Sequence, residues 1–181
     1  MRIPKSFLII LGLSVSVEIL LFLNLLKGNN ILAFNLLSIL NFYYFFYLFY
    51  LKLKRELKPF ILFSIVSVYS ISLIYSTLNT SIHSLFLSFA NITGSLLIST
   101  LIVVYFLKIL QSDKILHLRS DFFFWFCIGG LLYYLGSIPF EAVANTEGKF
   151  TETLFVNHLL FLIYYVCLII GFLSHKSQTE I

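Results

Sequence analysis

The chain has 181 residues, of which 60% are hydrophobic and 11% are charged, and its mean hydropathy is +0.99. Because soluble domains carry about 25% charged residues, this composition excludes an ordinary soluble globular domain and indicates an integral membrane protein. The formal net charge of +4 comes from basic residues in short segments between apolar runs, not from one basic patch. We therefore expect the lipid bilayer, and no nucleic acid, as a partner.

The first apolar run covers about residues 7–26 and follows the basic residues Arg2 and Lys5. This run is longer than the apolar region of a signal peptide, Glu18 interrupts it, and no small-residue cleavage pattern follows it. The sequence therefore predicts a retained first helix. A short turn rich in glycine and asparagine then leads to a second predicted helix at about residues 31–51.

Four further helices are predicted from the later apolar runs. Pro59 opens the third helix, because proline is accepted in the first turn. Between Asp121 and Glu141 lie nineteen uncharged residues, enough to cross the hydrocarbon core as a helix. The four predicted spans are about residues 59–78, 85–107, 122–140 and 154–173. We predict an all-α fold, a single transmembrane domain over residues 1–181 built as an integral membrane bundle of six transmembrane helices.

Lys and Arg are distributed unequally between the two sides of these six predicted spans. One side holds Lys27 and Lys149 alone. The other side holds the remaining ten basic residues, which are Arg2, Lys5, Lys52, Lys54, Arg55, Lys58, Lys108, Lys114, Arg119 and Lys176. The positive-inside rule therefore predicts cytoplasmic N- and C-termini and a multi-pass protein of the cell membrane.

Glu18 is the one charged residue near the middle of a predicted span. An ionised carboxylate is costly at that depth, so Glu18 is expected to be protonated, hydrogen-bonded or exposed to a polar cavity. Polar neighbours are available on its own helix at Ser14 and on the second helix at Asn35, Ser38 and Asn41. Two hypotheses remain open, a proton-linked or ligand-binding carboxyl and a neutral glutamic acid that hydrogen-bonds between helices.

The fourth predicted helix carries Ser88, Asn91, Ser95 and Ser99, whose spacing of three, four and four residues places them on one face. Such a stripe lines an aqueous path in some membrane proteins, and Asn91 and Ser95 would then join the site around Glu18. More often a stripe of small polar residues is a packing surface between membrane helices. Both interpretations are kept.

The fifth predicted helix contains Gly129, Tyr133 and Gly136 at spacings of four and three residues. These residues share one helix face, and the glycines permit a neighbouring backbone to approach closely. The pattern predicts a helix-packing contact.

Catalytic, metal-binding and cofactor-binding patterns are absent from the sequence. The chain has no clustered histidines, and His117 and His175 fall in a predicted loop and tail, which disfavours a pair of haems. Cys127 and Cys167 lie inside apolar segments, as inert packing cysteines do. We expect no cofactor, no metal and no catalytic residue, and the sequence favours a non-enzymatic protein.

The last two predicted spans contain the segments FFFWFCIGGLLYYLGSIPFE and NHLLFLIYYVCLIIGFL, at residues 122–141 and 157–173. An aromatic start with Trp, a Gly, paired Tyr, a second Gly and an Asn-initiated final helix resemble multi-helix membrane proteins of Bacteroidetes-type bacteria. They also resemble the membrane sensor regions of some histidine kinases. After Leu173 the sequence has eight residues, so a signalling role is expected to need a separate cytoplasmic or membrane signalling protein.

Three functions follow as expectations, in order of preference. The first is a bacterial inner-membrane sensor or adaptor without enzymatic activity, which acts through a separate partner. The second is a small transporter or channel that uses Glu18 and a path lined by Ser and Asn. The third is an intramembrane enzyme.

Overall fold

The structure of the protein is a computed structural model that describes residues 10–16, 30–53, 58–82, 86–111, 121–147 and 150–176. Side chains are described at these positions except for residues 30, 31, 140, 143–147, 150–155, 175 and 176. Glu18 and the ends of the first predicted helix lie outside the described residues.

Every regular element in the described part of the chain is an α-helix. Residues 10–16 form the described part of α1. The five helices that follow are α2 (Asn30–Leu53), α3 (Pro59–Asn79), α4 (Ser88–Leu110), α5 (Phe122–Glu147) and α6 (Phe150–Lys176). All five are long and apolar enough to cross a membrane. The predicted all-α class is therefore confirmed over the described residues, whereas six spans and the orientation of the termini stay predictions.

The helix ends differ from the predicted ones mainly in α5, which continues past Pro139 to Glu147. Pro139 and Glu141 suggested an end near residue 140. A proline inside a helix removes one backbone hydrogen bond, but membrane helices tolerate it because neighbouring groups satisfy the freed carbonyl. The residues after the predicted span at 122–140 include Glu141, Asn145 and Glu147, so the helix continues beyond its apolar part.

The chain divides into two compact units, Met1–Asn91 and Ile92–Ile181, so that α4 contributes its first turn to the N-terminal unit and the rest to the C-terminal unit. In the N-terminal unit, Tyr69 of α3 is fully buried against α2. Its ring lies 5.1 Å from that of Phe42, 5.3 Å from Tyr43 and 5.5 Å from Phe46, measured between centroids. These edge and tilted contacts are the favoured geometry for aromatic pairs.

In the C-terminal unit, α5 and α6 form an antiparallel hairpin, separated in the chain only by residues 148–149. A Cβ built on Gly171 would lie 3.0 Å from Trp125 Cβ, and one built on Gly129 would lie 2.8 Å from Cys167 Cβ. At Gly136 the corresponding distance is 2.9 Å, to Leu160 Cδ2. The register therefore pairs residues near 125, 129 and 136 of α5 with residues near 171, 167 and 160 of α6. We call the end where α5 finishes and α6 begins the closed end of the hairpin.

The third helix of this unit is the remainder of α4, which packs against α5. Gly130 faces Ile102, with 3.4 Å between a built Cβ and Ile102 Cδ1. Tyr105 stacks edge-on against Phe123 at a centroid distance of 5.0 Å, and its hydroxyl donates to Asp121 Oδ2 at 3.3 Å. These contacts place Gly130 and Phe123 on the face of α5 that α4 covers.

Candidate functional site

The polar residues predicted around Glu18 include two that meet in the N-terminal unit. Ser14 of α1 lies against Asn41 of α2, with 3.1–3.2 Å between the Ser14 hydroxyl and the two polar atoms of the Asn41 side chain. The Ser14 hydroxyl is also 3.0 Å from the carbonyl oxygen of Ile10, one turn back. Glu18 itself lies outside the described residues. The hydrogen bonds of the pair join α1 to α2.

Asn35 of α2 holds the segment between α3 and α4. Its side chain is 1% exposed, and its amide nitrogen donates to the Ile82 carbonyl at 3.0 Å. Its amide oxygen accepts from the Leu87 backbone N–H at 3.3 Å, immediately before α4 begins. Because the first backbone N–H groups of a helix have no partner inside it, Asn35 acts as a cap that comes from another helix.

Two further side-chain contacts join α4 to its neighbours in this unit. Ser38 of α2 donates to Asn91 Oδ1 at 2.9 Å, and the hydroxyl of Ser76 in α3 accepts from the Ala90 backbone N–H at 3.1 Å. Asn91 is 4% exposed and Ser76 is 3% exposed. Six residues of the predicted polar site are described. Five of them form hydrogen bonds between elements of the protein: Ser14, Asn35, Ser38, Asn41 and Asn91.

The sixth, Ser95, belongs to the C-terminal unit, where Ser95 is 1% exposed and Ser99 is 4% exposed. The hydroxyl of Ser99 is buried and has no hydrogen-bond partner among the described residues. The structure therefore places the predicted α4 stripe in the protein interior along its whole length, but in two different units.

The predicted packing face of α5 contacts α6 within the hairpin. Gly129 meets the Cβ of Cys167 and the backbone of Tyr164, whereas Gly136 meets the end of the Leu160 side chain. Tyr133 stacks on Tyr164 with 6.0 Å between ring centroids and an interplanar angle of 30°. This side of α5 is a close-packed surface rather than a cavity wall.

Sequence reasoning missed a carboxyl at the closed end of the hairpin. Glu141 directly follows the predicted apolar span at residues 122–140, yet its Oε2 is buried and has no hydrogen-bond partner among the described residues. Burial raises the pKa of Glu141 from 4.5 to about 8, since removing a carboxyl from water disfavours its charged form. Asn157 of α6 likewise has a buried Oδ1 with no partner in the described part of the chain.

No pattern in the sequence separates Glu141 from an ordinary charged residue that ends a membrane span. Its burial depends on α5 continuing beyond Pro139 and on the register of α5 against α6. Both are tertiary features. A sequence argument could have found it only by extending the predicted helix through the proline.

The described residues form only helices, five of which have membrane-spanning length and polarity, and their polar side chains hydrogen-bond between helices. These features are consistent with the class of multi-pass membrane proteins. No protein-family model, curated protein or solved structure matches the chain.

Removal of the hydroxyl should affect the free energy of unfolding differently at two buried tyrosines of the C-terminal unit. The Tyr164 hydroxyl is buried without a hydrogen-bond partner among the described residues, and that of Tyr105 donates to Asp121. Tyr164→Phe should be neutral or slightly stabilising, whereas Tyr105→Phe should lower the free energy of unfolding by about 1 kcal/mol. Unfolding in mixed detergent micelles measures both. A larger loss at position 164 than at 105 would contradict the expectation.

Proposed function

We propose that the protein is a non-enzymatic sensor or adaptor of the bacterial inner membrane that acts through a separate signalling protein. In this proposal six helices span the membrane and both termini are cytoplasmic. The observation that carries it is the engagement of the predicted path residues in bonds between helices. Ser38 and Asn91 bind each other, and Asn35 binds backbone groups on both sides of residues 83–85.

A transporter needs polar groups that can exchange partners with a moving solute. In the N-terminal unit these groups instead satisfy one another or the backbone at 2.9–3.3 Å. Breaking such bonds leaves buried donors and acceptors without partners, at about 1–3 kcal/mol for each group. The arrangement favours a protein whose helices keep fixed contacts over one that opens a path along this face.

The hairpin supplies a means of transmitting a change across the membrane. Gly129, Gly136 and Gly171 bring α5 and α6 into contact at three levels along the two helices. Closely packed interiors move between discrete arrangements rather than deforming continuously. A change at the closed end would therefore displace the opposite end of the same hairpin. At that end Asp121 precedes the first residue of α5, and Lys176 is the last residue of α6.

The distribution of Lys and Arg supports the direction of this transmission. The segment at the closed end, residues 141–153, contains Lys149 as its one basic residue. The segments at the opposite ends of α5 and α6 contain Lys114, Arg119 and Lys176. By the positive-inside rule the closed end faces outward and the opposite end faces the cytoplasm. An input outside would then reach a partner inside.

Site-specific photo-crosslinking in native membranes tests the proposal. Crosslinking residues at Phe63 and Ile71, which are 69% and 67% exposed on α3, are compared with one at Leu62, which is 5% exposed. Equivalent exposed positions on the other helices are scanned in the same way. We expect two positions on one helix face to capture the same protein, one that carries a cytoplasmic output domain, and the Leu62 control to capture none.

The competing transport function predicts a different result. The purified protein in liposomes would then conduct ions or a solute, and Glu18→Gln would abolish that flux because glutamine cannot titrate. Flux of this kind, together with crosslinks to lipid alone, would overturn the sensor or adaptor proposal.

A further inference from the structure

Two buried side-chain oxygens lie near the closed end of the hairpin. Glu141 Oε2 and Asn157 Oδ1 are both buried, and neither has a hydrogen-bond donor among the described residues. Both atoms are acceptors when the carboxyl is ionised. An acceptor that is removed from water without a donor destabilises a fold, and here two of them occur on adjacent helices.

The register of the hairpin brings the two residues to one level. Gly129 lies against Cys167 and Gly136 lies against Leu160. Continuing this antiparallel pairing by one turn places Pro139 level with Asn157, and Glu141 about 3 Å further along the axis. Since helical side chains lean toward the N-terminus of their own helix, those of Glu141 and Asn157 lean toward each other along the axis.

Both residues also lie on the inward faces of their helices. Glu141 follows Gly130 by eleven residues, about three turns, and Gly130 is on the face of α5 that contacts Ile102 of α4. Asn157 precedes Leu168 by the same interval, and Leu168 is 1% exposed. The two polar groups therefore lie in line with the buried positions Gly130 of α5 and Leu168 of α6.

Few charged or titratable groups face this position from the packed helices. The described part of α4 in this unit carries one charged residue, Lys108, and one further titratable residue, Tyr105, which contacts Asp121 at the opposite end of α5. On α6 the described titratable neighbour is His158, next to Asn157. The side chains of Glu147, Lys149 and Glu152 lie outside the described part of the chain.

We propose that Glu141 is a proton-binding site, and that its protonated carboxyl donates a hydrogen bond to Asn157 Oδ1. One proton converts Oε2 from an acceptor into a donor, and the resulting bond gives both buried oxygens a partner. The inference rests on the proposed sensor function and names its input, which is the proton concentration on the side of the closed end.

The pKa of Glu141, raised to about 8 by burial, gives this site a working range near neutral pH. The folded state holds the proton up to about pH 8, whereas the unfolded chain releases it near 4.5. Between these values the folded state binds more protons, so stability falls as the pH rises and levels off above about 8. Release of the proton leaves a buried charge facing the Asn157 carbonyl oxygen, which favours separation of the two helix ends.

Infrared difference spectroscopy of the purified protein in lipid nanodiscs measures the titration directly, through the C=O band of the protonated carboxyl. We expect a band that disappears with a midpoint of about 8 or higher, because the hydrogen bond to Asn157 adds to the effect of burial. The band should be missing from Glu141→Gln. In Asn157→Leu the midpoint should fall by about one unit, because the hydrogen bond that favours the neutral acid is lost. Glu147→Gln is the matched control at the same helix end, and it should retain the wild-type band and midpoint.

Lys149→Gln and His158→Gln test the other ionisable groups near the closed end, and neither should shift the midpoint as Asn157→Leu does. A carboxyl that titrates near its usual value, or a midpoint that stays or rises in Asn157→Leu, would overturn the proposal. The thermal stability of Glu141→Gln should vary less with pH than that of the wild type. If the stability of Glu141→Gln fell with rising pH as much as that of the wild type, the proposal would also be contradicted.

The titration is measured without a partner, so its failure and that of the sensor function are distinguishable. A normal titration with no captured partner would retain the proton site and reject the adaptor role. A captured partner without titration of Glu141 would retain the adaptor role and reject the proton site. If both hold, the crosslinking yield should change across the same pH range in the wild type and remain constant in Glu141→Gln.

Discussion

Gly129→Ala should lower the free energy of unfolding by about 1–3 kcal/mol, the usual effect of overpacking, although alanine is the better helix former. The added methyl group would lie 2.8 Å from Cys167 Cβ and 3.2 Å from the Tyr164 carbonyl oxygen. Neither atom is the end of a flexible side chain, so the methyl fits only if the helices separate. The measurement is unfolding in mixed micelles.

The neighbouring glycines provide the controls for this substitution. At Gly130 the nearest atom is Ile102 Cδ1 at 3.4 Å, an ordinary contact, and around Gly12 there is nothing within 4 Å. Gly130→Ala and Gly12→Ala should therefore be neutral or stabilising. Gly136→Ala should fall between the two cases, because Leu160 can move its side-chain end. Equal effects at 129 and 130 would contradict the packing described for the hairpin.

Asn35→Leu should be the most destabilising substitution of a polar residue in the N-terminal unit. Leucine leaves the Leu87 N–H and the Ile82 carbonyl without the partners that Asn35 provides. Each orphaned group costs about 1–3 kcal/mol when it stays buried. The loss should appear as a lower unfolding midpoint in mixed micelles and as faster proteolysis of the segment between α3 and α4.

Asn79→Leu is the matched control for Asn35→Leu. The Asn79 side chain is exposed and donates only to the Tyr75 carbonyl within its own helix. This carbonyl lies at an exposed helix end, where water replaces the lost donor, so the effect should be within about 0.5 kcal/mol. If the two leucine variants were equally stable, Asn35 would not be a cap for α4.

Sequence patterns were most informative where a span is bounded by charge or proline. The third span was predicted at residues 59–78 and is observed as Pro59–Asn79, because Pro59 starts it and polar residues follow it. The fifth was predicted to end near residue 140, since Pro139 and Glu141 both suggest a boundary. The helix instead continues through both residues to Glu147.

The polar site shows why residue type alone is insufficient. Asn35 was one of several possible partners predicted for Glu18, and the described partners of its side chain are backbone groups of Ile82 and Leu87. Every residue except proline offers the same N–H donor, so no sequence pattern identifies these partners. The similar level of Glu141 and Asn157 along the hairpin likewise follows from helix register, which the sequence of either helix does not contain.

The caps on α4 have a consequence for the biogenesis of the protein. Asn35 and Ser76 satisfy backbone N–H groups of Leu87 and Ala90, which a ribosome makes after both capping residues. Until α4 arrives, α2 and α3 carry polar side chains that lack their final partners. A nascent chain stopped before residue 87 should therefore remain bound to the insertion machinery or be degraded. Release into the bilayer would then depend on synthesis of the first turn of α4.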